Sequence, residues 1–512
     1  MKRKILILPL LFLLTSCSNA VAPTTTTTSV TTSQASDIIS VNISENFDEK
    51  EIRNETVNIK SLSELPSKLV KDGYHLTGVF KDNKYKEYYD FRNESKTYNL
   101  YVKYEKLESP KKDQEINLTS YIDSLLTKTD SYIPYWNKES FKGRWNYIDG
   151  VFLNSIVNLY KKTNNNKYKD FFINYINYYI NEDGTFIYYN KDKKIIDNNE
   201  GFKEGELDTI CESKILFDAY ELTNDERYLT AIEYTYNKLK DMPKAQNSEN
   251  YWHKTSYENQ IWLDGMYMYA PFLARYAKMK NDSSIFNTIK RQYEYIYTHM
   301  RDTNGLLYHG YDTTKTIFWS KDNNGNSKSI WLRSMGWYMV SLVDILEYFP
   351  EGDDKVYLKT ILEDALTNIL KYQDETTKMF YQVVDKKEET ILIDSSYFTG
   401  LKNTKYGNVK TCVSNYLESS GSSMVSYTLM KYGRLYQDSN TFEAKGKEVF
   451  EGIYSKSFKN DILNDICITA GLGPDNKKYR DGSIAYYLAE PVGSDDAKGV
   501  GPFIMAYLEY NN

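Results

Sequence analysis

The feature that most constrains this chain is a unit that recurs from about residue 116 to the last residue: helix, short polar turn, helix. Residues 150–180, "GVFLNSIVNLYKKTNNNKYKDFFINYINYYI", turn at "TNNN". Residues 212–242 turn at "TNDE", 265–300 at "KNDSS", 334–373 at "PEGDD" and 422–456 at "QDSN". In the first unit Ile148, Phe152, Ile156 and Leu159 recur at helical spacing, the stripe a helix buries. A repeated hairpin cannot bury its apolar face alone, so neighbours must stack. Five hairpins leave two helical ends, "SYIDSLLTK" and "GPFIMAYLEY", which pair into a sixth. The expectation over 116–512 is an all-α catalytic domain, an (α/α)6 barrel closed by its own ends rather than an open solenoid.

In such a ring every inner-helix N-terminus points the same way. The strings "RWNYIDG", "GELDTIC", "IWLDGMY", "WLRSMGW" and "NYLESSG" precede or open those helices, so they must converge on one mouth. They bring Tyr147, Asp208, Asp264, Trp331, Arg333, Trp337 and Glu418; nearby loops add His253, Lys254 and His309. Aromatic walls with a few acids and cations suit a sugar, whose C–H faces pack on rings while polar groups fix its orientation. Arginine and lysine at the mouth of a chain of net charge −6 point to an anionic sugar, because a guanidinium forks onto a carboxylate. The plainer alternatives are helix caps for Asp208 and Asp264, a structural hydrogen bonder in His253, and core packing for the tryptophans. A buried Arg333 would need an anionic or carboxylate partner.

With 512 residues the chain has room for two or three domains. Charges of mixed sign leave no basic footprint for nucleic acid. Four cysteines and four histidines leave little room for a disulfide framework or a zinc site, and no phosphate-cradling glycine loop occurs. Neither a metal nor an organic cofactor is expected. "MKRKILILPLLFLLTSC" has the basic start and short apolar run of a signal peptide. Its end, "LLTSC", resembles a bacterial lipobox, which implies a signal peptide over 1–16, a lipid on Cys17 and a place at the extracellular face of the membrane. Residues 17–36 are a Ser/Thr-rich tether too polar to bury a core. Residues 37–112 alternate as strands do, for instance "TYNLYVKYEKL". With "DGYHLTGVF" and a Tyr-Asp-Phe step, this segment resembles the Listeria–Bacteroides repeat, which implies a small β-grasp-like module of the kind used as a spacer or adhesive unit.

The strings "WHKTSYENQIWLDGMYMYAPFLARYA", "YHGYD", "WLRSMGWYMVSLVDILEYFP", "NYLESSGSSM" and "YRDGSIAYYLAEPVGSDDAKGVGPFIMAYLE" resemble the unsaturated rhamnogalacturonyl hydrolases of glycoside hydrolase family 105. The resemblance implies release of an unsaturated uronic acid from pectin-derived oligosaccharides. It implies Asp264 as the acid/base and Asp208 as the second carboxylate. Tyr147, His253, Lys254, His309, Trp331, Arg333 and Trp337 would line the sugar subsite. Two other readings share these residues: an unsaturated glucuronyl hydrolase acting on glycosaminoglycan or algal oligosaccharides, and a surface glycan-binding lipoprotein without turnover.

Overall fold

The hairpin turns are built from pairs of adjacent polar side chains. The inner helices are α1 (Tyr147–Thr163), α2 (Lys214–Thr223, entered through a 3-10 segment Leu207–Ser213), α3 (Leu263–Lys280), α4 (Leu332–Ile345), α5 (Ser419–Tyr436) and α6 (Ala497–Tyr510). At the ends of α1, α2 and α3, Asn164, Asn224 and Asn281 take left-handed backbone, with φ of 51°, 54° and 53°. Asparagine tolerates this conformation better than most residues and so ends a helix cleanly. The next residue, Asn165, Asp225 or Asp282, caps the following outer helix by accepting from the backbone N–H of Lys167, Arg227 or Ser284. Thus one dipeptide both stops a helix and starts its partner.

The computed structural model describes residues 38–111, 115–129, 142–190, 192, 194–394, 396–397 and 410–512. The expected signal peptide, Cys17 and the tether lie outside the described residues. Each inner helix packs on the next, and α6 returns to α1, so the inner ring closes. The outer helices Asn166–Asn177, Glu226–Lys240, Ser283–Met300, Asp353–Ile369 and Ala444–Lys456 each lean on the inner helix before them. The helix Thr119–Lys128 joins the two ends: Lys167 Nζ lies 2.7 Å from Asp123, and the Tyr121 hydroxyl donates to Asp495 at 2.6 Å. The result is a helix-rich fold of the α/α barrel type around one continuous apolar core.

Pro271 lies inside α3 and has no N–H for the carbonyl of Tyr267, one turn back. Lys214 of α2 takes over: its Nζ donates to Tyr267 O at 3.4 Å and lies 3.4 Å from the centroid of the Tyr267 ring.

Residues 39–106 form a four-stranded sheet of β1 (Ile39–Phe47), β2 (Glu51–Ile59), β3 (Tyr74–Phe80) and β4 (Thr97–Lys106) in the order β2-β1-β4-β3. Strands β1 and β4 run parallel; the other pairs are antiparallel. Along β4, Tyr98, Leu100, Val102 and Tyr104 turn inward, every second residue as a pleat requires. The sheet does not stand apart from the barrel. A hairpin of the barrel, Thr390–Leu392 with Cys412–Ser414, plugs the module: Cys412 is buried in its core and Leu392 packs against it. The Thr411 hydroxyl donates to Tyr89 O at 2.9 Å and accepts from the Phe91 N–H at 3.0 Å. Residues 38–512 are therefore one compact unit.

Candidate active site

Backbone hydrogen bonds lace the loops together around one end of the ring. Leu207 N–H donates to His253 O, His253 N–H to Gln260 O, Leu263 N–H to His309 O, and Leu332 N–H to Gln382 O. Glu418 N–H donates to Phe380 O and Ser419 N–H to Asp465 O. A short ladder, Gln260–Trp262 with Gly310–Asp312, sets Trp262 opposite Gly310 and so carries His309 beside the start of α3. This lacing is why the strings quoted above meet.

Asp264 is the second residue of α3 and does not cap it. Trp262 occupies the cap position, and no side-chain cap bond forms. A carboxylate there gains from the helix dipole, but its side chain is turned to His309. His309 Nε2 lies 3.1 Å from Asp264 Oδ2, out of line for an N–H···O bond, so both atoms are buried without an aligned partner. Tyr487 OH holds the other ring nitrogen, Nδ1, at 2.6 Å. Burial keeps the imidazole below its usual pKa, against the pull of Asp264, so the ring is neutral. A Tyr487 O–H donating to Nδ1 leaves the ring proton on Nε2, facing Asp264.

Asp208 has the opposite surroundings. It lies in the first turn of the 3-10 segment that leads into α2, again without a cap bond. Lys254 Nζ sits 2.5 Å from Asp208 Oδ2 and 3.2 Å from Glu206, and His253 Nε2 lies 3.4 Å from Asp208 Oδ1. Burial alone would push the Asp208 carboxyl up; Lys254 and His253 overrule it and hold the group well below the usual carboxylate range. The two halves touch. His253 stacks on Trp262 at 4.4 Å, Trp262 meets His309 edge-on at 5.2 Å, and a Cβ on Gly265 would lie 3.4 Å from His253 Nδ1. One carboxylate is thus clamped in its ionised form, and the other faces a neutral imidazole with a free oxygen.

The remaining expected residues divide by depth. Trp331 packs against His309 at 4.7 Å and stacks on Tyr487 at 5.8 Å. Arg333 is buried, with its guanidinium 4.8 Å from the Trp331 ring; Nη1 donates to Cys467 O and Ser420 Oγ, and Nε has no partner. Tyr147 is the first residue of α1, and burial, then the charge of Asp208, pushes its hydroxyl above the usual tyrosine range. Trp337 lies more than a turn into α4, tilted against Tyr267 at 4.3 Å, and lines a small cavity between the inner helices with Asn154, Asp344 and Met505. Glu418 is a helix cap, accepting from the backbone N–H of Ser420, Gly421 and Cys467. Sequence reasoning did not single out Tyr487, which holds His309. The signal was present in the aromatic and charged run "YRDGSIAYYLAEP".

A family model described as Glycosyl Hydrolase Family 88 matches residues 121–397 and 408–512. This chain belongs to that family. It is a glycoside hydrolase. A Clostridium acetobutylicum ATCC 824 glycoside hydrolase from family 105 is 34% identical over 77% of this chain and 98% of its own, with a TM-score of 0.63, in line with the motif resemblance. A possible family 105 member from Salmonella enterica serovar Paratyphi A, 17% identical over 78% of this chain and 97% of its own, shares the fold at a TM-score of 0.57. The Agrobacterium fabrum protein named Atu3128 is 30% identical over 47% of this chain and 96% of its own length.

Proposed function

We propose that this family 88 enzyme removes a 4-deoxy-4,5-unsaturated uronic acid from the non-reducing end of rhamnogalacturonan oligosaccharides left by pectin lyases. The observation that carries this reading is the pairing of two carboxyls in opposed settings, Asp208 clamped by Lys254 and His253, and Asp264 beside a neutral His309. Binding alone needs no such asymmetry; acid–base chemistry does. The 34% identity to a family 105 hydrolase and the closed ring of six inner helices support the same reading and the (α/α)6 barrel.

The substrate is a vinyl ether, so the rule relating carboxylate separation to stereochemistry does not govern it. Asp264, protonated, delivers a proton to C4, and positive charge develops at C5 and the ring oxygen. The carboxylate so formed takes a proton from water as that water attacks C5. The hemiketal then opens and releases the neighbouring sugar. Ionised Asp208 lies on the other side of the His253–Trp262 stack, where its charge favours the cationic transition state. Trp331, stacked on Tyr487, backs the sugar subsite from the wall, and Arg333 behind it adds positive charge for the sugar carboxylate. The four-stranded module is read as β-grasp-like, and a lipid on Cys17 would hold the enzyme at the outer face of the membrane. The lipid is checked by the intact mass of the membrane-extracted protein.

The test follows the ultraviolet absorbance of the conjugated double bond with unsaturated rhamnogalacturonan and unsaturated glucuronyl disaccharides, for wild type and Asp264→Asn. The expected result is loss of absorbance with the first substrate and a drop of roughly 10³-fold or more in the variant at unchanged Tm. Turnover of the glucuronyl substrate alone would move the enzyme to glycosaminoglycan or algal oligosaccharides. Near-wild-type turnover by Asp264→Asn would refute the assignment of the acid.

A further inference from the structure

Among the described residues, Lys254, Arg333 and Arg480 bring cations to this end of the ring, and they are held differently. Lys254 is held by Asp208 and Glu206. Arg333 is sunk in the wall on Cys467 O and Ser420 Oγ. Arg480 differs. It lies in the segment that follows Leu472, which packs against Trp262 and Trp319, and the Trp319 indole N–H donates to Gly473 O at 3.1 Å. Its Nε donates to Gly471 O at 3.1 Å and to Tyr486 OH at 3.3 Å, while Nη1 and Nη2 have no hydrogen-bond partner among the described residues. No carboxylate of the described residues lies in ion-pair reach of it. Glu490, the acid whose charge it feels, is pushed up by burial to about 7, and so gives only partial compensation at neutral pH.

The guanidinium has a prepared place. A Cβ on Gly471 would lie 2.1 Å from Arg480 Nη2 and 3.1 Å from the six-membered ring of Trp262, so a side chain there would have to push the guanidinium from its present place. Arg480 is also close enough for its charge to act on His309, the partner of Asp264. A half-buried guanidinium without an acid costs stability unless a ligand supplies the anion.

We propose that Arg480 is a carboxylate-binding residue of the substrate site, in addition to Arg333, taking a sugar carboxylate through its two free Nη groups. This rests on the reading of the substrate as an unsaturated uronyl oligosaccharide. The carboxylate belongs either to the unsaturated uronate or to an acidic sugar next to it. Both sources offer the planar pair of oxygens that a guanidinium fork fits.

The test compares kcat/KM of wild type, Arg480→Gln, Arg480→Lys and Gly471→Ala on three substrates. These are an unsaturated uronyl–rhamnose disaccharide, its 6-methyl ester, and an unsaturated diuronate. Wild type is expected to prefer the free acid over the ester, or the acidic neighbour over the neutral one, by roughly tenfold or more. In Arg480→Gln one of those two ratios falls to near one, and which of them falls names the source. Arg480→Lys keeps part of it, and Gly471→Ala, which displaces the guanidinium without removing its charge, follows Arg480→Gln. A merely structural arginine would lower all rates together, so wild-type ratios in Arg480→Gln, at any absolute rate, overturn the proposal. If wild type cleaves none of the three substrates, the substrate reading itself has failed, which is a separate result.

Discussion

The clamp on Asp208 can be tested by cutting the cation away. Lys254→Met keeps the length of the side chain and removes its charge. The pair is close, 2.5 Å, and mostly shielded, with side-chain exposures of 14% for Asp208 and 23% for Lys254. Removing one partner of a fully buried pair costs about 3–5 kcal/mol; partial exposure discounts this to roughly 2–3 kcal/mol. At about 1.36 kcal/mol per pKa unit, the Asp208 carboxyl should then rise by about two units. Because its folded value in wild type lies below the ordinary one, the stabilising contribution is complete above about pH 4 and fades as pH falls through the folded value. The assay is kcat/KM against pH from about 3 to 8, with a denaturation midpoint at each end. In wild type Asp208 contributes no acid limb to this window. In Lys254→Met such a limb should enter at the acidic end, and the stability gap to wild type should be widest near neutrality. A variant profile that is the wild-type curve scaled by one factor, with an equal denaturation midpoint, would refute the idea that Lys254 sets the charge of Asp208.

Further outcomes follow from other contacts. Tyr487→Phe frees Nδ1 of His309 and with it the choice of tautomer, so kcat should fall about tenfold with KM little changed, and a KM effect alone would contradict the pairing. Lys214→Met should cost about 1–3 kcal/mol by orphaning the Tyr267 carbonyl, and less by about 1 kcal/mol in a Pro271→Ala background, where residue 271 regains an N–H for it. Strict additivity in chemical denaturation would show that the carbonyl does not couple them. Cys412→Asp places a charge in the core of the sheet and should lower the denaturation midpoint of the whole 38–512 unit in one transition rather than melting the sheet alone.

Much of the barrel was legible because its signals are local. Helical spacing gave the hairpins, and the polar strings "TNNN", "TNDE" and "KNDSS" gave the turns. Direction along the ring then gathered Asp208, His253, Lys254, Asp264 and His309 at one mouth without any distance being known. Depth was not legible: Trp337 sits only four residues beyond Arg333, yet a helix turns and descends over that interval, and its ring faces Tyr267. Cap and catalyst look alike in sequence too. Glu418 and Asp264 both open inner helices, and only the hydrogen bonds tell that Glu418 is spent on Ser420, Gly421 and Cys467 while Asp264 is spared. Tyr487 escaped notice because its partner, His309, lies 178 residues earlier, and nothing local marks such a meeting.

The plug formed by Cys412 and Leu392 makes sequence order a poor guide to what can be separated. Residues 39–106 read as a bead on a string, yet they close around a hairpin that follows some 300 residues later. A protease that cut between sheet and barrel would therefore release nothing: the two fragments should migrate as one particle until denatured, and a sheet expressed alone would carry a notch where Cys412 belongs. Exchange of this module between relatives would have to move the hairpin with it.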